Sequence, residues 1–426
     1  MKGLIREARL VDPKNKMDQI LDLRIHQGKI VEIGKDLRPA GEEILEAKGL
    51  HLLPGLIDLH THFREPGFEQ KETIETGAHA ALCGGFVACA SMPNTRPACD
   101  NQGVIDLIIR KAHEVPFHLF PAGTISKGRE GKELSEMADL KRAGIWAVTD
   151  DGDWVSDSLL MRRAMEYASM LDLVVISHCE DRRLVAHGVM NEGLMSTRLG
   201  LKGIPSEAEE IAVARDIQLA QLTGAHLHIA HVSTARSVQL IGEAKADRIP
   251  VTAEVTPHHL SLSDASVEGY NTNCKMNPPL RTQADVDAVQ RALKEGVIDC
   301  VATDHAPHTE EEKMLEFDDA PFGVIGLETA LGVCLTALVH SKKMAMGELV
   351  EKMSVRPAEI LKLSNGFGEI RKNTEANLTL VDLEEEWVVK QEDFMSKSKN
   401  SCFIGKKLKG KVKVTICRGH LWDYRK

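Results

Sequence analysis

Histidine, aspartate and arginine recur at short spacings in this chain, most densely in Asp58-Leu59-His60-Thr61-His62-Phe63-Arg64. In an extended chain a spacing of two puts His60, His62 and Arg64 on one side. Two imidazoles aimed the same way make half of a metal site. The arginine beside them offers a planar fork of donors for a carboxylate. Similar groups close later apolar runs: Thr149-Asp150-Asp151-Gly152, Ser177-His178-Cys179-Glu180, His228-Ile229-Ala230-His231, Glu254-Val255-Thr256-Pro257-His258-His259 and Ala302-Thr303-Asp304-His305-Ala306-Pro307-His308. The candidate ligands are His60, His62, Asp151, His178, His231 and Asp304. His nitrogens and Asp oxygens suggest zinc before iron or copper. Six exceed one tetrahedral ion but suit two sharing a bridge, roughly 3.5–4 Å apart.

These residues need a scaffold that brings distant strand ends together. From residue 51 the chain alternates apolar strand, polar end and helical segment, and eight strands can be counted: 52–59, 85–91, 117–120, 144–149, 173–177, 226–231, 249–255 and 298–303. Such alternation calls for a parallel sheet, and eight strands can close a TIM-like (β/α)8 barrel whose C-terminal strand ends converge on one face. Ser206-x-x-Glu209 has the form of a capping box opening the helix that runs to Leu222. Before residue 51 and after residue 355 the pattern is short β runs, among them Ile20–Ile25, Lys29–Ile33, Ala376–Asp382 and Gly410–Ile416. The expected organisation is therefore a barrel over 51–355 and a small β-sandwich built from both chain ends, 1–50 and 356–426. The Lys-rich stretch 405–413 is expected to be a solvated strand edge.

Strand parity separates Asp150 from Asp151. Bulky Trp146 and Val148 alternate with small Ala147 and Thr149, so the small set, ending at Asp151, suits the crowded barrel interior. Asp58 shares a side with His60 and His62 and is either a neighbour that orients an imidazole or itself a ligand. Asp304, at the last strand end, is the natural carboxylate to take a proton from an attacking hydroxide and give it to a leaving nitrogen. Arg64, Asn94, the loop Lys275–Arg281 and His308 supply donors for an amide-like ring bearing a carboxylate, although Asn277 and Arg281 also fit a turn and a surface position. The charged segment 309–321 reads either as a solvated helix or as a loop that orders over substrate.

Composition narrows the field. The 426 residues carry a net charge of −10, with 27% charged and 43% hydrophobic content, as in an ordinary soluble globular protein. That balance, with no basic patch, argues against nucleic acid as partner. No apolar stretch reaches membrane-spanning length, and the first residues do not begin a signal peptide. Nine scattered cysteines without a Cys-x-x-Cys pair read as reduced thiols, so a cytoplasmic location is expected.

The ordered set of motifs resembles the dihydroorotases of the longer bacterial type, within the metal-dependent amidohydrolase superfamily. It comprises Asp58-x-His60-x-His62-x-Arg64-x-Pro66-Gly67, Ser91-Met92-Pro93-Asn94-Thr95, Thr149-Asp150-Asp151-Gly152, His178-Cys179-Glu180-Asp181, His231-Val232-Ser233-Thr234, Glu254-Val255-Thr256-Pro257-His258-His259-Leu260, Asn277-Pro278-Pro279-Leu280-Arg281 and Ala302–His308. The resemblance implies reversible cyclisation of N-carbamoyl-L-aspartate to (S)-dihydroorotate with loss of water, an early step of pyrimidine synthesis. It implies two zinc ions per subunit, His60, His62 and Asp304 on one and His178 and His231 on the other, bridged by Asp151 and a hydroxide. Asp304 would be catalytic, and His62, Arg64, Asn94, Asn277, His308, Phe322 and Gly323 would contact substrate. Many superfamily members bridge their metals with a carboxylated lysine; no lysine lies between Lys141 and Lys202 here, so Asp151 must serve. At the tail, Arg371–Asn377 departs from the usual family pattern, far from the site. A homodimer is expected, with aspartate carbamoyltransferase as a candidate partner. Two other readings stand beside it. Hydrolysis of a dihydropyrimidine, hydantoin or allantoin ring fits the missing lysine and the Arg64/Asn94 pair less well. A catalytically dead scaffold would show eroded ligands, and all six are present.

Overall fold

The computed structural model describes residues 2–425. The chain begins with five strands, β1 (Lys2–Asp12), β2 (Met17–His26), β3 (Lys29–Gly34), β4 (Glu43–Glu46) and β5 (His51–Pro54). The next eight-membered set is β6 (Leu56–Thr61), β7 (Phe86–Ser91), β8 (His118–Pro121), β9 (Ala147–Val148), β10 (Val174–Ser177), then, after a small pair β11 (Met190–Asn191) and β12 (Gly203–Ile204), β13 (Leu227–Ile229), β14 (Val251–Val255) and β15 (Cys300–Val301). Three strands end the chain: β16 (Leu378–Val388), β17 (Lys407–Cys417) and β18 (His420–Asp423).

The barrel strands form two parallel ladders, β6-β7-β8 and β9-β10-β13-β14-β15. Parallel bridges Gly123↔Val148 and Thr61↔His305 join the ladders at both seams, so the eight strands make a ring. The Asp58 carboxylate strengthens the second seam by accepting the backbone amides of His60 and Thr303, each at 3.0 Å. It neither ligates nor orients an imidazole, the two roles the sequence left open for it.

Both chain ends meet in one sheet ordered β18-β17-β16-β5-β1-β2-β3, with β4 alongside β1. Its own core includes Leu10, Leu23, Ile25, Leu52, Leu380 and Ile416. Leu52 and Leu380 face each other across the β5–β16 pair and are almost fully buried. Burial of each contributes about 1.5–3 kcal/mol to holding the ends together.

Several expected boundaries move. The run 52–59 is two strands, because Gly55 breaks it: the Gly55 amide donates to Asn377 O at 2.8 Å, while the Leu56 amide turns to Gly85 O at 3.1 Å. A Cβ at Gly55 would lie 2.4 Å from Val87, so only glycine permits this close approach. The terminal sheet thus runs through Pro54, past the expected boundary at residue 50, and the helical run from Met346 to Ile360 crosses the one at 355. The runs 144–149, 226–231 and 298–303 keep only two or three residues of regular ladder each. Their outer residues make single bonds beyond the ladder instead, as Thr149 N does to Gly123 O in a loop and Ala302 N to Val255 O at the end of β14. β18 pairs only with Val414–Cys417 of β17, so the Lys-rich half of β17 is a strand edge as expected, and its Lys407, Lys409 and Lys413 pair with Glu386, Glu384 and Glu385 of β16.

The capping box at Ser206 does not form. Ser206 makes no cap bond, and Glu209 is buried, accepting the amides of Ser233 at 3.0 Å and Thr234 at 3.2 Å. These distant donors win because a buried carboxylate without partners is costly.

Candidate metal centre and substrate cleft

His60 and His62 project from the end of β6, and the residues after β9, β10, β13 and β15 supply Asp151, His178, His231 and Asp304. Parity works as expected at β9: Ala147 packs with Val174 and Ile176 in a layer beneath the site, and Asp151 lies above it. Asp150 turns the other way and accepts the amides of Ile125 at 2.9 Å and Ser126 at 3.0 Å.

Asp151 is the hub. Its Oδ1 lies 3.3 Å from His60 Nε2, 3.7 Å from His178 Nδ1 and 3.8 Å from His231 Nε2, and its Oδ2 is 3.5 Å from His62 Nε2. Asp304 Oδ1 is 2.9 Å from His62 Nε2 and 3.7 Å from His60 Nε2. Two triads therefore share one carboxylate: His60, His62 and Asp151, and Asp151, His178 and His231. His60 Nε2 and Asp151 Oδ1 are buried with no hydrogen-bond partner. Such atoms are expensive to leave unsatisfied, and lone pairs converging on one small space are what a pair of cations requires. The donor set fits divalent metal.

Charge within the cluster is strongly coupled. Burial opposes ionisation of Asp151, but His60, His231 and His62 overcome it and hold the carboxyl well below its usual range. Two strand-end residues, Arg64 and His308, meet beside the cluster. Arg64 Nε donates to Pro307 O at 3.1 Å, and its Nη2 lies 3.4 Å from His308 Nε2. Burial pushes the guanidinium down to about 10, and among the described residues no carboxylate lies in ion-pair contact with it. Burial, with Arg64 and Lys71 nearby, also depresses His308 and keeps its imidazole neutral. The backbone φ of Arg64, His231 and Asp304 is 61°, 35° and 47°, a region L-residues rarely adopt, so the fold holds strain at three site positions.

A cleft of about 660 Å³ opens onto the cluster, lined by His62, Arg64, Asn94, Asp151, His178, His231, Asn277, Asp304, His308, Phe322 and Gly323 among others. His60 lies beneath it, fully buried. Asn94 Oδ1 is 2.8 Å from His62 Nδ1, which fixes that imidazole and leaves the Asn94 amide nitrogen as a donor. Asn277 Nδ2 approaches His178 Nε2 at 3.4 Å.

Other members of the 275–281 loop are absent from the cleft. Arg281 is buried on Ser233 Oγ, Asn191 Oδ1 and Ile204 O, and the Lys275 ammonium is spent on the carbonyls of Phe317 and Asp318. His259 supports this loop through Pro278 O at 3.0 Å, and His305 bonds Glu72 at 3.3 Å. Both strand-end histidines are structural. Glu180, 3.6 Å from His178 Nε2, and Lys71, 3.2 Å from His308 Nδ1, join the site without having been singled out. Glu180 had a signal, since it shares strand parity with His178.

A ring of eight parallel strands with a His/Asp cluster at its C-terminal face defines the chain as a member of the metal-dependent amidohydrolase superfamily. Solved structures with this fold include an L-hydantoinase (dihydropyrimidinase) from Arthrobacter aurescens, at TM-score 0.88 and 23% identity, covering 98% of this chain and 95% of that one. A D-hydantoinase structure aligns at TM-score 0.84 and 24% identity, covering 99% and 95%. At that identity they speak for the fold alone. A family model described as dihydro-orotase-like matches residues 49–237. Dihydroorotases of Acetivibrio thermocellus and Geotalea daltonii are 50% and 49% identical to this chain, each alignment covering 98% of both proteins. The chain belongs to the dihydroorotase family.

Proposed function

We propose that this cleft interconverts N-carbamoyl-L-aspartate and (S)-dihydroorotate, closing or hydrolysing a cyclic amide for pyrimidine biosynthesis. His60, His62 and Asp304 would hold one zinc ion and His178 and His231 a second, with Asp151 available to both. When bound, such a pair supplies an activated water at neutral pH and polarises an amide carbonyl. In the hydrolytic direction the Asp304 carboxylate accepts the proton of the attacking water and returns it to the leaving ring nitrogen. Arg64, the Asn94 amide and His308 hold the ring carboxylate. Asn277 and the backbone of Phe322 and Gly323 orient the ring. Asn94 also keeps His62 in place through its carbonyl. The Cα-bound carboxylate is what separates this substrate from a plain hydantoin or dihydropyrimidine, and the Arg64 guanidinium without a carboxylate partner speaks for it.

The observation that carries this reading is Asp151 lying within 3.3–3.8 Å of four imidazole nitrogens. Metal analysis combined with a dihydroorotate hydrolysis assay tests it. About two zinc ions per chain are expected, with activity lost to a chelator and restored by zinc. Unchanged turnover in fully metal-free protein, or preference for an uncharged hydantoin, overturns it. No helix among the described residues is long and apolar enough to cross a membrane. A cytoplasmic homodimer, with aspartate carbamoyltransferase as a candidate partner, completes the proposal; size-exclusion chromatography with and without that enzyme tests both associations.

A further inference from the structure

Beneath the metal cluster, β14 places Glu254 in the barrel interior, about 1% exposed and outside the cleft lining, where its carboxylate also lies close to His228 and Cys300 in a third buried His/Glu/Cys group. Its Oε1 is 2.7 Å from His60 Nδ1 and its Oε2 is 3.0 Å from His228 Nε2. The backbone amide of His231 points at Oε1 from 3.4 Å. A carboxylate can only accept, so both imidazoles donate to it. His60 then carries its proton on Nδ1, which leaves the Nε2 lone pair aimed at Asp151. His228, having donated from Nε2, offers Nδ1 as acceptor to the Thr252 hydroxyl at 2.8 Å, and the Thr252 oxygen receives His226 Nε2–H at 2.9 Å. The whole series has one polarity, fixed by the carboxylate in its middle.

We propose that Glu254, backed by His228, is the positioning residue that sets the tautomer and ring orientation of His60 and thereby the affinity of the site for its metal. A buried carboxylate is tolerated only where donors meet it, and this one meets three. Carboxylate–imidazole pairs of this kind raise the basicity of a ligating nitrogen and lock its direction. Glu254→Gln keeps the volume but offers one acceptor and one donor, so it cannot receive protons from both imidazoles. The inference rests on His60 being a ligand, as proposed above.

The test compares zinc affinity, by competition with a chelator, in the wild type, Glu254→Gln and His60→Asn. Glu254→Gln is expected to weaken zinc binding about 10–100-fold, with KM for dihydroorotate unchanged at saturating zinc. Unaltered zinc affinity in Glu254→Gln, with affinity lost in His60→Asn, overturns the role of Glu254 and leaves the ligand assignment standing. Unaltered affinity in His60→Asn overturns both. Long-range ¹H–¹⁵N spectra of the zinc-loaded wild type, labelled at histidine, decide the matter without any variant. His60 is expected to show its proton on Nδ1 in a strong hydrogen bond; a proton on Nε2 overturns the proposal even if Glu254→Gln does not fold.

Discussion

The ammonium group of Lys313 lies 3.1 Å from the carbonyl oxygen of Gly323, a residue whose backbone lines the substrate cleft. Lys313 also donates to Pro321 O at 2.9 Å and reaches Lys275 O at 3.4 Å, while Gly323 N donates to that same Lys275 carbonyl. Lys275 reciprocates by binding the carbonyls of Phe317 and Asp318. The sequence left 309–321 as a solvated helix or a loop that orders over substrate. It holds a single short helix, Glu310–Lys313, and the rest is an irregular loop tied from within by two buried lysines.

Because these ties exist before substrate arrives, amide exchange of residues 314–323 should change little when dihydroorotate binds. Lys313→Met should speed exchange there and raise KM, since the ammonium that links the carbonyls of Lys275, Pro321 and Gly323 is lost. Strong protection that appears only with substrate would show instead that the ties form on binding.

Burial, with the Lys275 ammonium adding repulsion, pulls Lys313 down to about 7. An unfolded lysine titrates near about 10.4. Between those values the unfolded chain keeps a proton that the folded chain has released, so Lys313 makes stability rise with pH across the window. Its contribution falls again as pH drops toward about 7 and is constant below. Lys313→Met should lack this slope, which is at most about 1.4 kcal/mol per pH unit. Urea midpoints measured from neutral to alkaline pH check this; parallel curves for the two proteins would refute it.

Asp304→Asn should fold normally yet lose turnover by a factor on the order of 10² or more, the scale of acid–base assistance. Circular dichroism and steady-state dihydroorotate hydrolysis read the two parts separately. Normal turnover in a folded, zinc-bearing variant would send the proton elsewhere.

Arg64→Lys should raise KM for dihydroorotate by roughly 10–100-fold, with kcat less affected. Hydrogen bonds to a charged group are worth about 1.5–3 kcal/mol, and an ammonium cannot reproduce the fork of a guanidinium. An unchanged KM would remove Arg64 from the carboxylate site.

Strand ends were the legible part of this chain. The His60/His62 spacing, the parity at Asp151 and the order of polar ends after apolar runs report local geometry, which neighbouring residues largely determine. What depends on distant partners was not written locally. Ser206-x-x-Glu209 carries a local signature, but the amides of Ser233 and Thr234 compete for the carboxylate and win. Arg281 reads as a cleft or surface donor until the strand pair at Asn191 and Ile204 closes over it. Glu254 sits in plain view before Thr256-Pro257-His258, yet its partners His60 and His228 come from two other strands. Pro54-Gly55 carries the local signal of a breaker within 52–59, but the Asn377 carbonyl that receives the Gly55 amide lies far downstream.

That last contact bears on how the enzyme is made. Gly55 joins the strand bearing His60 and His62 to β5, and β5 is held on one side by β16 and at Gly55 by Ser354 and Asn377. Translation delivers these anchors only after all eight barrel strands. A nascent chain that has already left the ribosome with all six metal-binding candidates therefore still lacks the clamp that seats its first strand. The strand that carries His60 thus gains its last backbone anchors only after all six candidates have been synthesised.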